Sequence, residues 1–362
     1  MEVNSVLPFD VWYIIATIDP ASFAAVRSIN RLLYDYTQSH IETYKDKFSM
    51  KVCDLIDGTK RKYRKLPNGD KHGLYREWYE NKQLRFRYNY VDGRRWGLCQ
   101  TRYENGLLEV DGNYVNGKRE GLYQRWHRDG GRIKRCFYFD GKEQGLYQEW
   151  HSNRQLYFEY NCIGGKIEGL YQRWWDNGQL EIRCNYIGGK RQGLYQEWHA
   201  NGTIRAQCNY INGKQEGECR RWHENRQLSG RWTYVGGMRE GLHESWHVNG
   251  ELSLQGNYTG GVRDGLYQEW HDNKQLSGQC NYVCGEIEGS YQTWYRGGKL
   301  RKRCNYVAGK KDGLLQKWGP GGVLFFQCNY IDGEKHVDID LIRDALSSRT
   351  GIRKRPTPRS RI

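Results

Sequence analysis

His243, Glu244 and His247 fall in the order H-E-x-x-H. At that spacing two imidazoles one helical turn apart can hold a zinc ion while the glutamate serves as base. The chemistry requires a helix. The equivalent stretch Tyr195 to His199 reads Tyr-Gln-Glu-Trp-His, an aromatic-rich pattern that predicts a strand, where residues four apart stand about 13 Å from each other. Two such histidines cannot share one ion. His127, His151, His199, His223, His247 and His271 recur 24 residues, or a multiple of 24, apart, and so do Cys136, Cys184, Cys208, Cys280, Cys304 and Cys328. If each step of 24 is one hairpin, equivalent atoms lie about 9.6 Å apart, two strand spacings. That is too far for a common metal ion, and for disulfides between neighbours in the cysteine row, which need Cα atoms within about 7 Å. The histidines therefore read as a polar lining of an exposed face and the cysteines as buried free thiols. No Gly-Lys pair in the repeats is followed by Ser or Thr, so the phosphate-cradling loop pattern is missing. No catalytic residue, metal or cofactor is assigned, and the chain reads as a binding protein and not an enzyme.

The elements that carry these residues follow from two unbroken glycine rows. One runs from Gly73 to Gly313 and the other from Gly93 to Gly333, each at intervals of 24, so residues 73–336 form eleven repeats. Trp stands five positions after the first glycine in every repeat except at Arg102, and Tyr stands 17 after it except at Cys162. In the unit from Gly193 to Glu216, Leu194 to His199 predicts one strand and Ile204 to Ile211 its return. Asn201-Gly202 predicts a tight hairpin turn of positive φ, and Asn212-Gly213 begins the link to the next hairpin. Period-two alternation places Leu194, Gln196 and Trp198 on one face, and Ile204, Cys208 and Tyr210 on one face of the return strand. Stability is then expected from Trp, Tyr and Leu contacts between neighbouring repeats. The fold class is mostly β, an elongated antiparallel hairpin sheet; at about 4.8 Å per strand, 22 strands would reach roughly 105 Å.

Composition agrees. The 362 residues are 37% hydrophobic with mean hydropathy -0.94, too polar for several thick cores, yet they include 28 Tyr, 14 Trp and 44 Gly against 6 Pro. No apolar run of about 18 residues and no secretory start are present. A soluble, intracellular, cytoplasmic protein with reduced thiols is expected. The net charge of +15 is spread thinly over the repeats and favours solubility and weak anion attraction. It is denser in the KRKYRK run at 60–65, within a linker and partial capping repeat at 49–72, where it reads as a solvated linker or, alternatively, as a contact for phosphate or an acidic partner. Lys118, Lys142, Lys166, Lys190, Lys214 and Lys310 form an edge row suited to a weak anionic-lipid contact, with Glu120, Glu168, Glu216 and Asp312 expected to offset it.

The Gly-Leu-Tyr-x-x-Trp, Asn-Gly-x-Leu and Tyr-x-x-Gly-Lys pattern resembles the MORN repeat variant over about 70% of the chain. Departures are Glu218 and Ser290 for the usual Leu, and Cys99, Cys219, His243 and Leu315 for the usual Tyr. The resemblance implies a scaffold whose repeat face binds another molecule. Tyr123, His127, Tyr147, His151, Tyr171, Tyr195, His199, Tyr267 and His271 are the candidate contacts.

An open stack of hairpins needs covered ends. Val337, Leu341, Ile342 and Ala345 fit a short capping helix at 337–346. The tail at 347–362 is basic, with Arg353-Lys354-Arg355-Pro356 as a nuclear import signal or nucleic-acid contact, and is expected to be disordered; outside it no nucleic-acid binding is expected. At the other end, Leu7-Pro8, an apolar helix through Val11, Ile14, Ile15 and Ile18, and then Asp19-Pro20 resemble an F-box within residues 1–48. F-box and MORN-variant combinations are similar to proteins of large DNA viruses. In that family the module docks a Skp-type adaptor of a cullin-RING ubiquitin ligase while the downstream domain captures a target protein. Leu7, Pro8, Val11 and Ile15 would be the adaptor contacts. The alternative is a structural or membrane-apposed scaffold in which the helices only cap the stack.

Overall fold

A computed structural model describes residues 50–56, 59–66 and 68–336. The F-box-like module at 1–48 with Leu7, Pro8, Val11 and Ile15, the capping helix at 337–346 and the basic tail at 347–362 lie outside the described residues. Among the described residues every regular element is a β-strand. The chain divides into two compact units, one ending at Lys214 and one beginning at Gln215. Each unit is built of antiparallel hairpins.

Three backbone devices repeat in both units. The first is a two-residue turn at the second glycine row. In the first unit Asn116 and Gly117 both take positive φ, 51° and 81°, between Val115 and its partner Lys118. In the second unit Cys284 and Gly285 do the same, at 49° and 89°, between Val283 and Glu286. Two successive left-handed residues match the twist of the flanking strands, which is why glycine is fixed here.

The second device is a longer loop at the Asn-Gly pair, where a tight turn of positive φ is expected. Trp198 pairs with Ile204, leaving five residues between them, and only Gly202 takes a positive φ, 79°. Asn201 instead serves through its side chain, accepting the Thr203 amide at 3.0 Å.

The third is a bulge at the first glycine row. Tyr160 faces Tyr171 and Asn161 faces Glu168, so Gly169 and Leu170 have no opposite residue on the strand Leu156–Ile163; Gly169 takes φ 75°. The second unit repeats this at Gly289, φ 77°, between Asn281–Glu288 and Gln279–Gln292. An L-residue would be strained in either place.

The register decides which side chains form the interior. Tyr123 faces Cys136 and Tyr171 faces Cys184. These rows, not the leucines, are buried: Cys136 is 1% exposed and Tyr147 6%, against 47% for Leu194. Stability from a Leu ladder is thus corrected, because Leu194 faces Asn209 on the opposite, solvated side of the sheet. In the first unit Tyr123, Cys136, Tyr138 and Tyr147 form a core cluster with Val110, Phe158 and Tyr160 against it. Tyr147 and Tyr160 stack at 4.7 Å. In the second, Trp232, Tyr267, Cys280, Cys304 and Leu315 are buried.

The segment read as a linker and partial capping repeat at 49–72 contributes strands to the sheet. Met50–Ile56 pairs with Thr59–Lys65, which pairs in turn with Lys71–Trp78. Cys136, Cys184, Cys280, Cys304 and Cys328 are free thiols, but Cys208 is disulfide-bonded, as is Cys219. The spacing argument covers only equal positions of neighbouring repeats, and Cys219 occupies the tyrosine row.

Candidate functional site

The histidine row lies where an interaction between repeats is needed. His151 Nε2 is 2.9 Å from the Trp174 carbonyl in the first unit. In the second, His223, His247 and His271 reach the carbonyls of Trp246, Trp270 and Trp294 at 2.9, 2.8 and 3.2 Å. Where the repeat carries another ring, the contact persists: Tyr103 and Tyr295 hydroxyls donate to Trp126 and Trp318 carbonyls, both at 2.8 Å, and Trp175 Nε1 donates to Trp198 at 3.2 Å. A ring with a donor at its far end meets this requirement, which explains why His, Tyr and Trp interchange. His127, His151, His199 and His271 are all half-buried, and the row is a brace more than a lining.

The tyrosine candidates point inward. Tyr123, Tyr147 and Tyr267 are buried, while Tyr171 and Tyr195 are half-buried. Tyr123, Tyr195 and Tyr267 form part of an arginine cradle. Arg119 sits 4.4 Å from the Tyr123 ring and donates to the Tyr114 and Tyr138 hydroxyls. Arg263 does the same in the second unit, 4.3 Å over Tyr267 and donating to Tyr258 and Tyr282. Burial raises the phenol pKa of Tyr123 and Tyr267, so both remain neutral donors and ring faces for the guanidinium.

His243 belongs to the tyrosine row and His247 to the brace row. His243 Nδ1 lies 3.3 Å from Arg239 Nη1, and burial together with Arg239 and Arg263 lowers its pKa to about 4. Its Nε2 contacts Ser245 Oγ at 3.2 Å. The two imidazoles of the H-E-x-x-H stretch are therefore engaged separately. Among the described residues no group of three or more His, Cys, Asp or Glu could hold a metal ion.

The carboxylates two positions after the lysine row also have another role than expected. Glu120, Glu168, Glu216 and Asp312 accept the amides of Asp140, Gly188, Gly236 and Asp332, the first residues of the next two-residue turns. Two lysines are paired elsewhere, Lys118 with Asp140 at 2.6 Å and Lys310 with Asp332 at 2.8 Å.

One region of the second unit departs from these rules. Along the interior face four repeats carry a glutamate two residues after the tyrosine, at Glu77, Glu149, Glu197 and Glu269, as in Tyr75–Glu77, hydrogen-bonded at 2.6 Å in the first unit. At the end of the second unit Thr293 and Lys317 replace that glutamate, and Leu315 replaces the tyrosine. Lys302 falls at the position held by Ile182, Ala206 and Gly278 elsewhere and by Lys134 in the first unit, where Glu143 pairs with it at 3.2 Å; Lys311 stands at the position of that glutamate. The result is a basin of about 570 Å³ walled by Tyr291, Trp318 and Phe326 among others. Lys302 lies 4.6 Å from the Tyr291 ring, Lys311 4.9 Å from Tyr330 and Lys317 5.1 Å from Phe326. Burial, with Lys311 and Lys317 nearby, depresses the Lys302 pKa. Among the described residues Arg301, Lys302, Lys311 and Lys317 form no ion pair. Such a basin can take up negative charge against an aromatic wall. The signal was present in the sequence at 302 and 311: Lys134, at the position of Lys302, has Glu143 as its partner, and Lys311 stands where that glutamate would be.

These features define a β-hairpin repeat protein of the binding and scaffold kind. The MORN repeat variant family model matches it at residues 71–92, 167–187, 191–212, 263–283 and 287–308. No curated protein matches the chain. No helix among the described residues is long and apolar enough to cross a membrane.

Proposed function

We propose that this chain is a non-catalytic intracellular adaptor: the F-box-like segment with Leu7, Pro8, Val11 and Ile15 engages a Skp-type adaptor of a cullin-RING ubiquitin ligase, and the repeats hold the target protein. The observation that carries the target-binding half is the basin around Lys302 and Lys317. Its cations lack carboxylate partners among the described residues and its walls are aromatic, a combination suited to an acidic, partly apolar segment of a partner. Phe325, 67% exposed at the rim, offers an apolar anchor. The recruiting half rests on the sequence pattern from Leu7 to Pro20.

Co-purification from cells with a Skp-type adaptor tests the recruiting half. Association lost in the Leu7→Ala/Pro8→Ala variant supports it; an adaptor that binds neither form would refute it. For the target half, proteins captured by the full chain should be released by Lys302→Glu/Lys317→Glu while adaptor association persists. Unchanged capture would mean that the basin is not the contact.

A further inference from the structure

The hairpin at the start of the first unit carries an uncompensated basic face. On the strand Thr59–Lys65 the side chains alternate. Arg61 and Tyr63 belong to the interior side, where Arg61 pairs with Glu77 at 3.0 Å and the Tyr63 ring lies 5.5 Å from that of Tyr75. Lys60, Lys62 and Arg64 belong to the other side. The register extends this set across four strands: Lys51 faces Arg64, Lys62 faces Arg76, and Arg76 faces Arg87. Lys51, Lys60, Lys62, Arg76 and Arg87 are exposed. Among the described residues none of these five forms an ion pair; the nearby carboxylates of Asp54 and Glu77 are engaged on the interior side, by Tyr63 and by Arg61 and Arg85.

Like charges directly opposite one another in a sheet are destabilising, and here three successive cross-strand pairs are cation on cation. An equivalent pair further along the first unit is Gln148 facing Glu159, hydrogen-bonded at 2.9 Å, so the repeat does not require cations at this place; where Arg220 faces Arg231 in the second unit, each is paired with a glutamate, Glu218 and Glu244. We propose that this face binds the phosphate backbone of a nucleic acid without reading its bases. Lys60, Lys62 and Arg64 stand about 6.8 Å apart along the strand, twice the axial rise of about 3.4 Å per phosphate on one strand of a duplex. The neighbouring strands supply a second row about 4.8 Å away. The patch is a sheet surface of charged heads, unlike the apolar core of a protein interface, from which charges are depleted.

The experiment is a salt titration of full-length protein binding to a fluorescent 20-nucleotide single strand. The five exposed cations predict a slope of log K against log salt of about -3.5, at about -0.7 per neutralised phosphate, and equal affinity for unrelated sequences. Arg76→Gln/Arg87→Gln should lower the slope magnitude by about 1.4; both side chains are exposed, and unchanged circular dichroism checks the fold. Lys166→Gln/Lys190→Gln, an equal charge change on the edge row, should leave the slope as it was. An equal loss in the two variants, or no saturable binding of the strand together with binding to vesicles containing phosphatidylserine, would overturn the proposal.

Discussion

Arg263 offers the most demanding check on how the repeats hold together. Its guanidinium donates to the Tyr282 hydroxyl at 2.8 Å and to that of Tyr258 at 3.3 Å, and lies 4.3 Å from the Tyr267 ring. A hydrogen bond from a charged donor contributes about 1.5–3 kcal/mol, the longer one less, and a partly desolvated cation–π contact about 1–2 kcal/mol. Methionine would retain part of the packing and relieve the desolvation of the charge. Arg263→Met should then cost about 2–3 kcal/mol. Tyr282→Phe removes only the shorter hydrogen bond and should cost about 1 kcal/mol. If the cradle acts as a unit, the double variant falls short of the sum by about 1 kcal/mol. Hydrogen exchange of peptides covering 252–283 provides the local stability, since a repeat chain need not unfold in one step. A coupling within the usual additivity error of about 0.3–0.5 kcal/mol would refute the idea that the arginine binds the tyrosine hydroxyls together.

Gly241 has φ 73° and open space where a Cβ would stand, so Gly241→Ala should cost about 1–2 kcal/mol through the backbone alone. Gly256→Ala should cost more, through a Cβ placed 2.5 Å from Tyr267 Cδ2; denaturant unfolding of the two compares them. Because the His243 pKa is lowered to about 4 in the folded chain, its contribution is present above the ordinary value of about 6.5 and is lost as pH falls toward 4. His243→Tyr should therefore reduce acid sensitivity across that window by about 1–2 kcal/mol after allowance for solvent screening, measured by thermal melts at pH 7 and pH 4.5. Burial raises Cys99 and Cys136 to about 11 and Cys162 to about 12. At pH 8 a thiol reagent should modify exposed Cys53 and Cys284 first, as peptide mapping would reveal.

The repeat length, the two strands per unit and the fixed glycines were legible because each glycine marks a φ that other residues resist. The orientation of the sheet was not. Leu194 and Tyr195 are adjacent in sequence and opposite in space, and a period of two states that they differ without stating which is inside. Hydropathy favours leucine, but the arginine cradle and the small Cys208 opposite Tyr195 make tyrosine the better filling. The histidine row was found as a row, yet its role depends on a carbonyl 23 residues away, which spacing alone does not identify. The basin at Lys302 was overlooked for a different reason. The unbroken glycine frame drew attention to what recurs, whereas charge without a counterpart resides in what does not.

The side-chain fasteners have a consequence for how such a chain can change its length. Glu120 reaches the amide of Asp140, twenty positions on, and Asn249 reaches the carbonyl of Asp272, twenty-three on. The partner in each case is backbone, which every residue type supplies, except that proline lacks the amide. A copied or deleted block of twenty-four therefore finds its attachment points already in place, whichever neighbour it meets, while an insertion of one or two residues misaligns both margins together. Growth and loss by whole modules is the mode of variation that this chemistry tolerates.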